Sequence, residues 1–138
     1  MKICMIGTGY VGLVSGVCFA DLGNKVYCVD KDQKKINKLK NSLSPIYEPG
    51  LDDLIRNNLR AKRLIFTHDL QKAIKDSQII FICVGTPTKK NSNLVDLSQV
   101  NGVAKSISKC IKSYKIIVTK STVPVTTGDQ IEKIIGTK

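Results

Sequence analysis

The chain has no tryptophan, and aromatic side chains make up only 5% of its 138 residues. Proteins that bind single-stranded nucleic acids stack the bases on aromatic side chains, so this scarcity counts against that class. His68 is the only histidine, and the five cysteines form no Cys-x-x-Cys pair. Because zinc sites need clustered histidine and cysteine ligands, we expect no metal site. The sequence also lacks an uninterrupted apolar run of about 18 residues, so we expect no membrane partner.

Acidic residues are scarce as well. The chain has 11 aspartates and glutamates against 22 lysines and arginines, which gives a formal net charge of +11. This excess is compatible with a nucleic-acid-binding surface. It is also compatible with a lysine-rich solvated surface that attracts anionic nucleotides. We favour the second interpretation because the lysines are scattered along helical segments and do not form one block. Nucleic acid is therefore not an expected partner.

The cysteines fall mostly within apolar stretches. Cysteine in such a stretch behaves as a small hydrophobic residue, so we expect reduced thiols in the protein core. Unbridged thiols in this number are typical of a reducing cytosol, which predicts a cytoplasmic location. The residues concerned are Cys4, Cys18, Cys28, Cys83 and Cys110.

The first thirty residues have the pattern of a dinucleotide-binding unit. An apolar run, Ile3–Ile6, precedes Gly7-Thr8-Gly9-Tyr10-Val11-Gly12, which has the G-x-G-x-x-G form. An apolar segment rich in small residues follows up to Leu22, and a second apolar run ends in Asp30. Strand, glycine turn, helix, strand and acid in this order form the complete fingerprint, which is more specific than the glycine pattern alone.

Each part of this fingerprint has a physical role. Gly7 permits the tight turn, Gly9 leaves room for a pyrophosphate, and Gly12 lets the helix pack closely on the strand. The N-terminus of the helix supplies N–H groups and a positive dipole for the phosphates. A carboxylate at Asp30 accepts hydrogen bonds from ribose hydroxyls and repels a 2′-phosphate, which favours NAD over NADP. Three lysines close to Asp30 in sequence soften this preference.

The alternation of apolar runs with helical patterns predicts an α/β fold, a Rossmann-type doubly wound parallel sheet with helices on both faces. We expect the strand order 3-2-1-4-5, with the sixth strand absent. The predicted strands are Lys2–Ile6, Lys25–Val29, Leu64–Thr67, Gln78–Val84 and Lys115–Thr119. The predicted helices run from the glycine turn to about Leu22, then over Gln33–Lys40, Leu51–Arg60, Asp69–Lys75 and Asp96–Ile111, and from Thr127 to just before Gly136.

The first and fourth strands are neighbours in this order, and their carboxyl ends frame the crevice for the cofactor. Gly85 and Thr86 directly follow the fourth strand and are expected to face the ligand, although an ordinary Gly-Pro turn explains this segment equally well. The fifth strand would be an exposed sheet edge unless the last helix, a partner chain or a homo-oligomer covers it.

Four separated motifs resemble those of the UDP-glucose/GDP-mannose dehydrogenase family, and the similarity covers essentially the whole chain. Each motif alone is weak, whereas all four in this order and at compatible spacing are specific. Within the family, the members that oxidise UDP-glucose are the most similar. The motifs are Gly7–Leu13, Pro45–Leu51, Val84–Thr88 and Lys120–Val125.

The resemblance implies that residues 1–138 are the N-terminal NAD(P)-binding Rossmann domain of a longer dehydrogenase, without the domain that binds the nucleotide sugar. The family oxidises UDP-glucose to UDP-glucuronate by two hydride transfers to two NAD⁺, through a cysteine-bound thioester. Its nucleophilic cysteine and catalytic lysine match positions beyond Lys138. The chain alone is therefore expected to be inactive and to hold no catalytic residue, apart from a contribution by Thr122.

The resemblance also implies which residues contact NAD. Asp30 and Thr86 were already predicted from the fingerprint and from the end of the fourth strand, whereas Lys35 and Thr122 rest on the resemblance. The plain alternatives are a solvated helix lysine for Lys35 and a strand-end or cap residue for Thr122. The implied contacts are Gly7, Gly9, Tyr10, Val11, Gly12, Asp30, Lys35, Thr86 and Thr122.

Two other functions remain open at this point. The parent enzyme could act on GDP-mannose or a UDP-N-acetylhexosamine. The family's usual Asp-Gly is missing from residues 89–93 and Thr126 replaces a frequent glycine, departures that blur the substrate class. An alternative of another class is a stand-alone basic Rossmann module that senses nucleotides or binds nucleic acid, supported only by the net charge of +11.

Overall fold

The structure is a computed structural model that describes residues 1–89, 92 and 94–136, so part of the polar loop predicted at 89–93 lies outside the described residues. Strands and helices alternate along the chain, with two consecutive helices between the second and third strands. The elements are β1 (Lys2–Ile6), α1 (Tyr10–Asp21), β2 (Lys25–Val29), α2 (Gln33–Lys40), α3 (Leu51–Arg60), β3 (Leu64–Thr67), α4 (Leu70–Asp76), β4 (Ile79–Ile82), α5 (Ser98–Cys110), β5 (Ile116–Thr119) and α6 (Thr127–Gly136).

The five strands form one parallel sheet in the order β3-β2-β1-β4-β5, which confirms the predicted Rossmann-type doubly wound topology. β1 lies at the centre, with Ile3 opposite Val26 of β2 and Ile79 of β4. β5 lies at one edge, where it pairs with β4. The carboxyl ends of β1, β2 and β4 therefore lie on the same side of the sheet, which is where the glycine turn and Asp30 follow their strands.

Helices cover both faces of the sheet. In β1, Ile3 and Met5 belong to the core that packs under α1, α2 and α3, whereas Cys4 and Ile6 belong to the core under α4, α5 and α6. Successive side chains of a strand point to opposite faces, so a strand covered on both sides must be apolar at every position. This explains the unbroken apolar run of β1.

The fourth strand is shorter than predicted, since it spans Ile79–Ile82 and not Gln78–Val84. The neighbouring strand β1 ends at Ile6, and Gly7 then turns the chain away at a φ of +102°. The N–H of Cys83 still donates to the carbonyl of Ile6 at 2.8 Å, but the segment that follows has left the ladder. The end of β4 is therefore determined by the turn in its neighbour.

Other predicted boundaries also differ from the structure. Asp69, predicted as the first residue of the fourth helix, is the N-cap of α4, and α6 includes Gly136, whereas the prediction ended it just before that residue. The fifth strand begins at Ile116, one residue later than predicted. The fifth helix begins at Ser98, whereas the prediction placed its start at Asp96. The carboxylate of Asp96 accepts the N–H of Ser98 at 2.8 Å, so it stabilises the turn that leads into the helix from a position before the first helical residue.

The expectation of buried cysteines is confirmed for Cys4, Cys28 and Cys83 but wrong for Cys18, which is exposed. Cys18 follows the buried Val17 on α1, and the helical repeat turns this position away from the sheet. Cys110 is half-buried at the end of α5. An apolar neighbourhood in sequence thus did not predict burial on the outer face of a helix.

Within the part of the chain that the structure describes, no helix is long and apolar enough to cross a membrane. The longest described helix, α5, has 13 residues. A transmembrane helix needs about 20 consecutive apolar residues.

Candidate functional site

The glycine turn packs tightly against the end of β4. Gly7 adopts a φ of +102°, a conformation that residues with a Cβ rarely adopt. A Cβ on Gly7 would also lie 2.7 Å from the carbonyl oxygen of Cys83. A Cβ on Gly12 would lie 1.9 Å from the carbonyl oxygen of Gly7. Both positions therefore require glycine, for the turn and for the close approach of α1 to the turn.

Gly9 differs from these two glycines. Apart from its two chain neighbours, no atom of the described residues would lie within 4 Å of a Cβ added to Gly9, so the space beside it is open. Gly9 is also the N-cap of α1, with no side-chain hydrogen bond to the first turn, and that turn carries no acidic residue. The first N–H groups of a helix have no intrahelical partner, so this helix end can receive an anion.

The Asp30 carboxylate, at the end of β2, is held by four hydrogen bonds. Its Oδ2 accepts the Thr8 N–H at 2.9 Å, the Thr8 hydroxyl at 2.7 Å and Lys35 Nζ at 3.1 Å. Its Oδ1 accepts the N–H of Asp32 at 3.0 Å. Its side chain is only 12% exposed. The glycine turn and the end of β2 are therefore joined directly through this one carboxylate.

These contacts keep Asp30 ionised. Burial by itself would raise the pKa of Asp30, but the hydrogen bonds from the Asp32 N–H, the Thr8 hydroxyl and N–H, and Lys35 outweigh it and lower the pKa to about 2. The carboxylate is therefore a permanent acceptor at neutral pH. Lys35 forms its ion pair on the same oxygen that Thr8 binds.

A cavity of about 760 Å³ opens beside this carboxylate, at the carboxyl ends of β1, β2 and β4. Four of the residues implied to contact NAD line it, namely Gly7, Gly9, Asp30 and Lys35. Gly85, which was also expected to face the ligand, lines it as well. The described residues of the lining are Ile6, Gly7, Gly9, Val29, Asp30, Lys31, Asp32, Lys35, His68, Leu70, Cys83, Val84, Gly85, Gln99, Gly102, Val103 and Ser106.

Thr86 and Thr122 meet beside the cavity and not within its described lining. The Thr86 hydroxyl donates to the backbone carbonyl of Thr122 at 2.9 Å. Nearby, the Ser121 hydroxyl donates to the carbonyl of Val84 at 2.7 Å. These bonds join the segment after β4 to the segment after β5, so the two predicted threonines are close together at the rim, next to Gly85.

Tyr10 and Val11 are exposed in the first turn of α1, and with Gly12 they lie outside the described lining of the cavity. The Tyr10 hydroxyl donates to the carboxylate of Glu48, in the loop between α2 and α3. This hydrogen bond and the negative charge of Glu48 raise the pKa of Tyr10. The Pro45–Leu51 motif is thereby connected to the glycine turn, a contact that the sequence did not predict.

Comparison with known proteins identifies the chain. The model of the UDP-glucose/GDP-mannose dehydrogenase family, NAD binding domain, matches residues 1–138. The chain belongs to this family. Its cofactor is therefore NAD, as the glycine turn and Asp30 predicted.

Relatives within the family are similar over almost the whole chain. UDP-glucose 6-dehydrogenase from Rhizobium meliloti is 54% identical over 98% of this chain, which corresponds to 31% of that protein. A UDP-glucose 6-dehydrogenase from Bacillus subtilis is also 54% identical, over 97% of this chain and 29% of that protein. The chain thus spans about a third of the length of the curated relatives it matches.

Solved structures of the family share the fold. The crystal structure of GDP-mannose dehydrogenase from Pseudomonas aeruginosa is 39% identical and superposes with a TM-score of 0.93, over 100% of this chain and 33% of that chain. UDP-N-acetyl-mannosamine dehydrogenase from Staphylococcus aureus is 30% identical, with a TM-score of 0.89, over 99% of this chain and 32% of that chain.

The residues around the cavity fit NAD. The volume lies within the range of roughly 300–1,000 Å³ that is common for ligand pockets. The open space at Gly9 and the uncapped start of α1 suit a pyrophosphate, and the ionised Asp30 suits ribose hydroxyls. Cys83 also lines the cavity, but burial raises its pKa to about 11, although the charge of Lys120 opposes this. Its protonated thiol is not a nucleophile near neutral pH.

Several lining residues were not predicted. One face of α5 contributes Gln99, Gly102, Val103 and Ser106. Leu70 at the start of α4 and His68 just before that helix also line the cavity. The spacing of the four α5 residues indicates that they share one helix face. Nothing in the sequence showed that this face borders the cavity. Thr8 was missed because it occupies an x position of the G-x-G-x-x-G pattern, and the pattern assigns no role to the side chain there.

Proposed function

We propose that this chain holds NAD for a nucleotide-sugar 6-dehydrogenase that oxidises UDP-glucose to UDP-glucuronate with two NAD⁺. The observation that carries the proposal is the ionised Asp30 carboxylate at the mouth of the cavity, bonded to the glycine turn through Thr8. The hydrogen bonds from Thr8 hold the carboxylate next to the glycine turn. The carboxylate suits the ribose and the turn suits the phosphates, so both parts of a dinucleotide are provided for at one place.

Each residue has a proposed role toward the cofactor. Gly9 and the start of α1 receive the pyrophosphate, and Asp30 accepts a hydrogen bond from a ribose hydroxyl. Lys35 balances the charge of Asp30 and contacts the same ribose. Further contacts are proposed for Gly7, Tyr10, Val11, Gly12, Thr86 and Thr122.

The bound NAD supplies the hydride acceptor, and this chain's own residues bind and orient it. The buried cysteines of the described core do not supply a nucleophile, since burial raises the pKa of Cys4 to about 12 and that of Cys83 to about 11. We therefore propose that the chain alone has no turnover. The reducing cytosol is its proposed compartment, because it keeps these thiols and the exposed Cys18 unbridged.

UDP-glucose is the proposed sugar nucleotide because the two relatives at 54% identity are UDP-glucose 6-dehydrogenases. GDP-mannose is the alternative, since the solved structure at 39% identity is a GDP-mannose dehydrogenase.

Calorimetric titration of the chain with NADH and NADPH tests the cofactor role. We expect NADH to bind, NADPH to bind more weakly, and UDP-glucose to give no turnover. The matched control is Asp30→Asn, which keeps the shape of the side chain but removes the charge that repels a 2′-phosphate. Equal binding of both cofactors by the wild-type chain, or no binding of either, would contradict the proposal.

Two chimeras test the role in catalysis. In each, this chain replaces the matching third of a relative, either the Rhizobium meliloti UDP-glucose 6-dehydrogenase or the Pseudomonas aeruginosa GDP-mannose dehydrogenase. Because each relative supplies its own sugar-binding part, we expect NADH formation from UDP-glucose in the first chimera and from GDP-mannose in the second. A Gly9→Ala version of each chimera is the control for loss of the cofactor site. A folded chimera of either kind that forms no NADH would contradict the proposed role of this chain.

A further inference from the structure

Thr8 stands out among the residues that the glycine fingerprint leaves without a role. It is only 1% exposed, although it lies in the turn that follows β1 at the carboxyl edge of the sheet. Both of its hydrogen-bond donors point to the same atom, since the N–H and the hydroxyl each donate to Asp30 Oδ2, at 2.9 and 2.7 Å. A buried threonine that donates two hydrogen bonds to one charged oxygen restricts the orientation of that carboxylate.

The two oxygens of Asp30 are therefore not equivalent. Oδ2 receives two donors from Thr8 and one from Lys35, which fills the acceptor positions of a carboxylate oxygen. Oδ1 receives only the N–H of Asp32 at 3.0 Å among the described residues. A carboxylate oxygen accepts about two hydrogen bonds, so Oδ1 keeps one acceptor position. Since Asp30 lines the cavity, this position is the one available to a ligand.

We propose that Thr8 is a positioning residue that determines the choice of cofactor. It anchors Oδ2 of Asp30 to the glycine turn and thereby directs Oδ1 to the ribose. This inference rests on the proposed NAD site and adds a residue to it that acts through Asp30 and not by contact with the cofactor. Without the Thr8 hydroxyl, Oδ2 loses the shortest of its three hydrogen bonds, so the carboxylate is held less firmly and both ribose recognition and rejection of a 2′-phosphate weaken.

Thr8→Val and Thr8→Ser form the decisive pair. Valine keeps the shape of threonine and the backbone N–H but removes the hydroxyl, whereas serine keeps the hydroxyl and removes the methyl group. A hydrogen bond to a charged group contributes enough for its loss to weaken NADH binding about tenfold. We expect this loss in Thr8→Val, with a smaller difference between NADH and NADPH, and wild-type behaviour in Thr8→Ser. Thr8→Ala is the second hydroxyl-free variant, should valine disturb the fold.

The second measurement needs no cofactor. A carbon-detected NMR titration follows the Asp30 carboxyl in the wild-type chain and in each variant. The surrounding charged and titratable groups, Lys31, Asp32, Lys35 and His68, are the same in all of them. The pKa of Asp30 should therefore rise in Thr8→Val and Thr8→Ala and stay low in Thr8→Ser, a pattern that a purely structural role of the methyl group would not produce.

The two measurements separate two kinds of failure. A wild-type chain that binds neither cofactor would overturn the proposed function, and the NMR titration would still decide whether Thr8 positions Asp30. Cofactor affinities and an Asp30 titration that are unchanged in both hydroxyl-free variants would overturn the role of Thr8 and leave the NAD site intact.

Discussion

The hydroxyl of Thr86 donates a 2.9 Å hydrogen bond to the backbone carbonyl of Thr122. These residues are distant in sequence, and the bond joins the segments that follow β4 and β5. Thr86 is half-buried, and its hydroxyl oxygen can still accept a hydrogen bond while its proton is donated to Thr122. This bond thus ties the backbone at Thr122 to the Thr86 side chain, beside the cavity.

Thr86→Val should weaken the connection between these two segments, since the bond from the Ser121 hydroxyl to the Val84 carbonyl remains. We expect the free energy of unfolding to fall by about 0.5–1 kcal/mol, because an exposed hydrogen bond is lost and one carbonyl returns to water. NADH affinity should fall as well. Urea unfolding and calorimetry measure the two effects, and Thr86→Ser, which keeps the hydroxyl, should show neither. An unchanged affinity in Thr86→Val would remove this threonine pair from the cofactor site.

Alanine at Gly9 and at Gly12 should have opposite effects. Gly12→Ala places a Cβ 1.9 Å from the carbonyl oxygen of Gly7, so we expect a loss of about 3 kcal/mol or more in the free energy of unfolding. Gly9 has an ordinary φ of −69° and open space around its Cβ position, so Gly9→Ala should change stability by less than about 0.5 kcal/mol.

For NADH affinity, we expect Gly9→Ala to have a large effect although its effect on stability is small. The Cβ of Gly9→Ala would occupy the space proposed for the pyrophosphate, so we expect the folded variant to bind NADH at least about tenfold more weakly. Thermal unfolding and calorimetry on the two variants check both halves of the prediction. Normal NADH affinity in Gly9→Ala would show that the phosphates lie elsewhere.

The pH dependence of stability should contain a contribution from Asp30. Its pKa is lowered from 3.8 to about 2 in the folded chain, so the stabilisation is complete above the unfolded value and is lost as the pH falls through the folded value. The shift corresponds to about 2 kcal/mol at neutral pH. Asp30→Asn should remove this contribution, so its difference from the wild-type chain should shrink as the pH falls from about 4 to about 2.

Denaturant unfolding at a series of pH values measures this difference. Asp52→Asn is the matched control for the loss of one negative charge, because Asp52 is exposed on α3 and away from the network around Asp30. A constant difference between Asp30→Asn and the wild-type chain over the whole acid range would show that Asp30 is not stabilised as an ion in the folded state.

Thiol reactivity should separate the cysteines by exposure. Burial raises the pKa of Cys4 to about 12 and raises that of Cys28 further, so neither forms a thiolate near neutral pH. The exposed Cys18 should react first with a thiol-specific reagent, and Cys18→Ser should remove this fast phase. Denatured chain, in which all five thiols react, provides the reference. Rapid labelling of Cys4 or Cys28 in folded chain would contradict the described core.

Much of the fold followed from local pattern. The unbroken apolar runs predicted strands covered on both faces, and the run from Ile3 through the glycine turn to Asp30 predicted the first βαβ unit. Boundaries failed where a neighbouring element determined them. β4 ends at Ile82 because β1 ends at Ile6 and Gly7 turns away, a relation between strands that are distant in sequence. Cys18 was misplaced because the sequence pattern did not show which helix face is covered.

The site divides in the same way. The sequence by itself determined the glycine turn, the acid at Asp30 and the parallel sheet, because each depends on residue type and short-range spacing, and these were sufficient to predict NAD. Tertiary structure alone decided that Thr8 and Lys35 share one oxygen of Asp30. It also decided that Tyr10 meets Glu48, and that one face of α5 borders the cavity. The physical reason is that hydrogen bonds between distant segments depend on how the helices pack on the sheet, which no local pattern encodes.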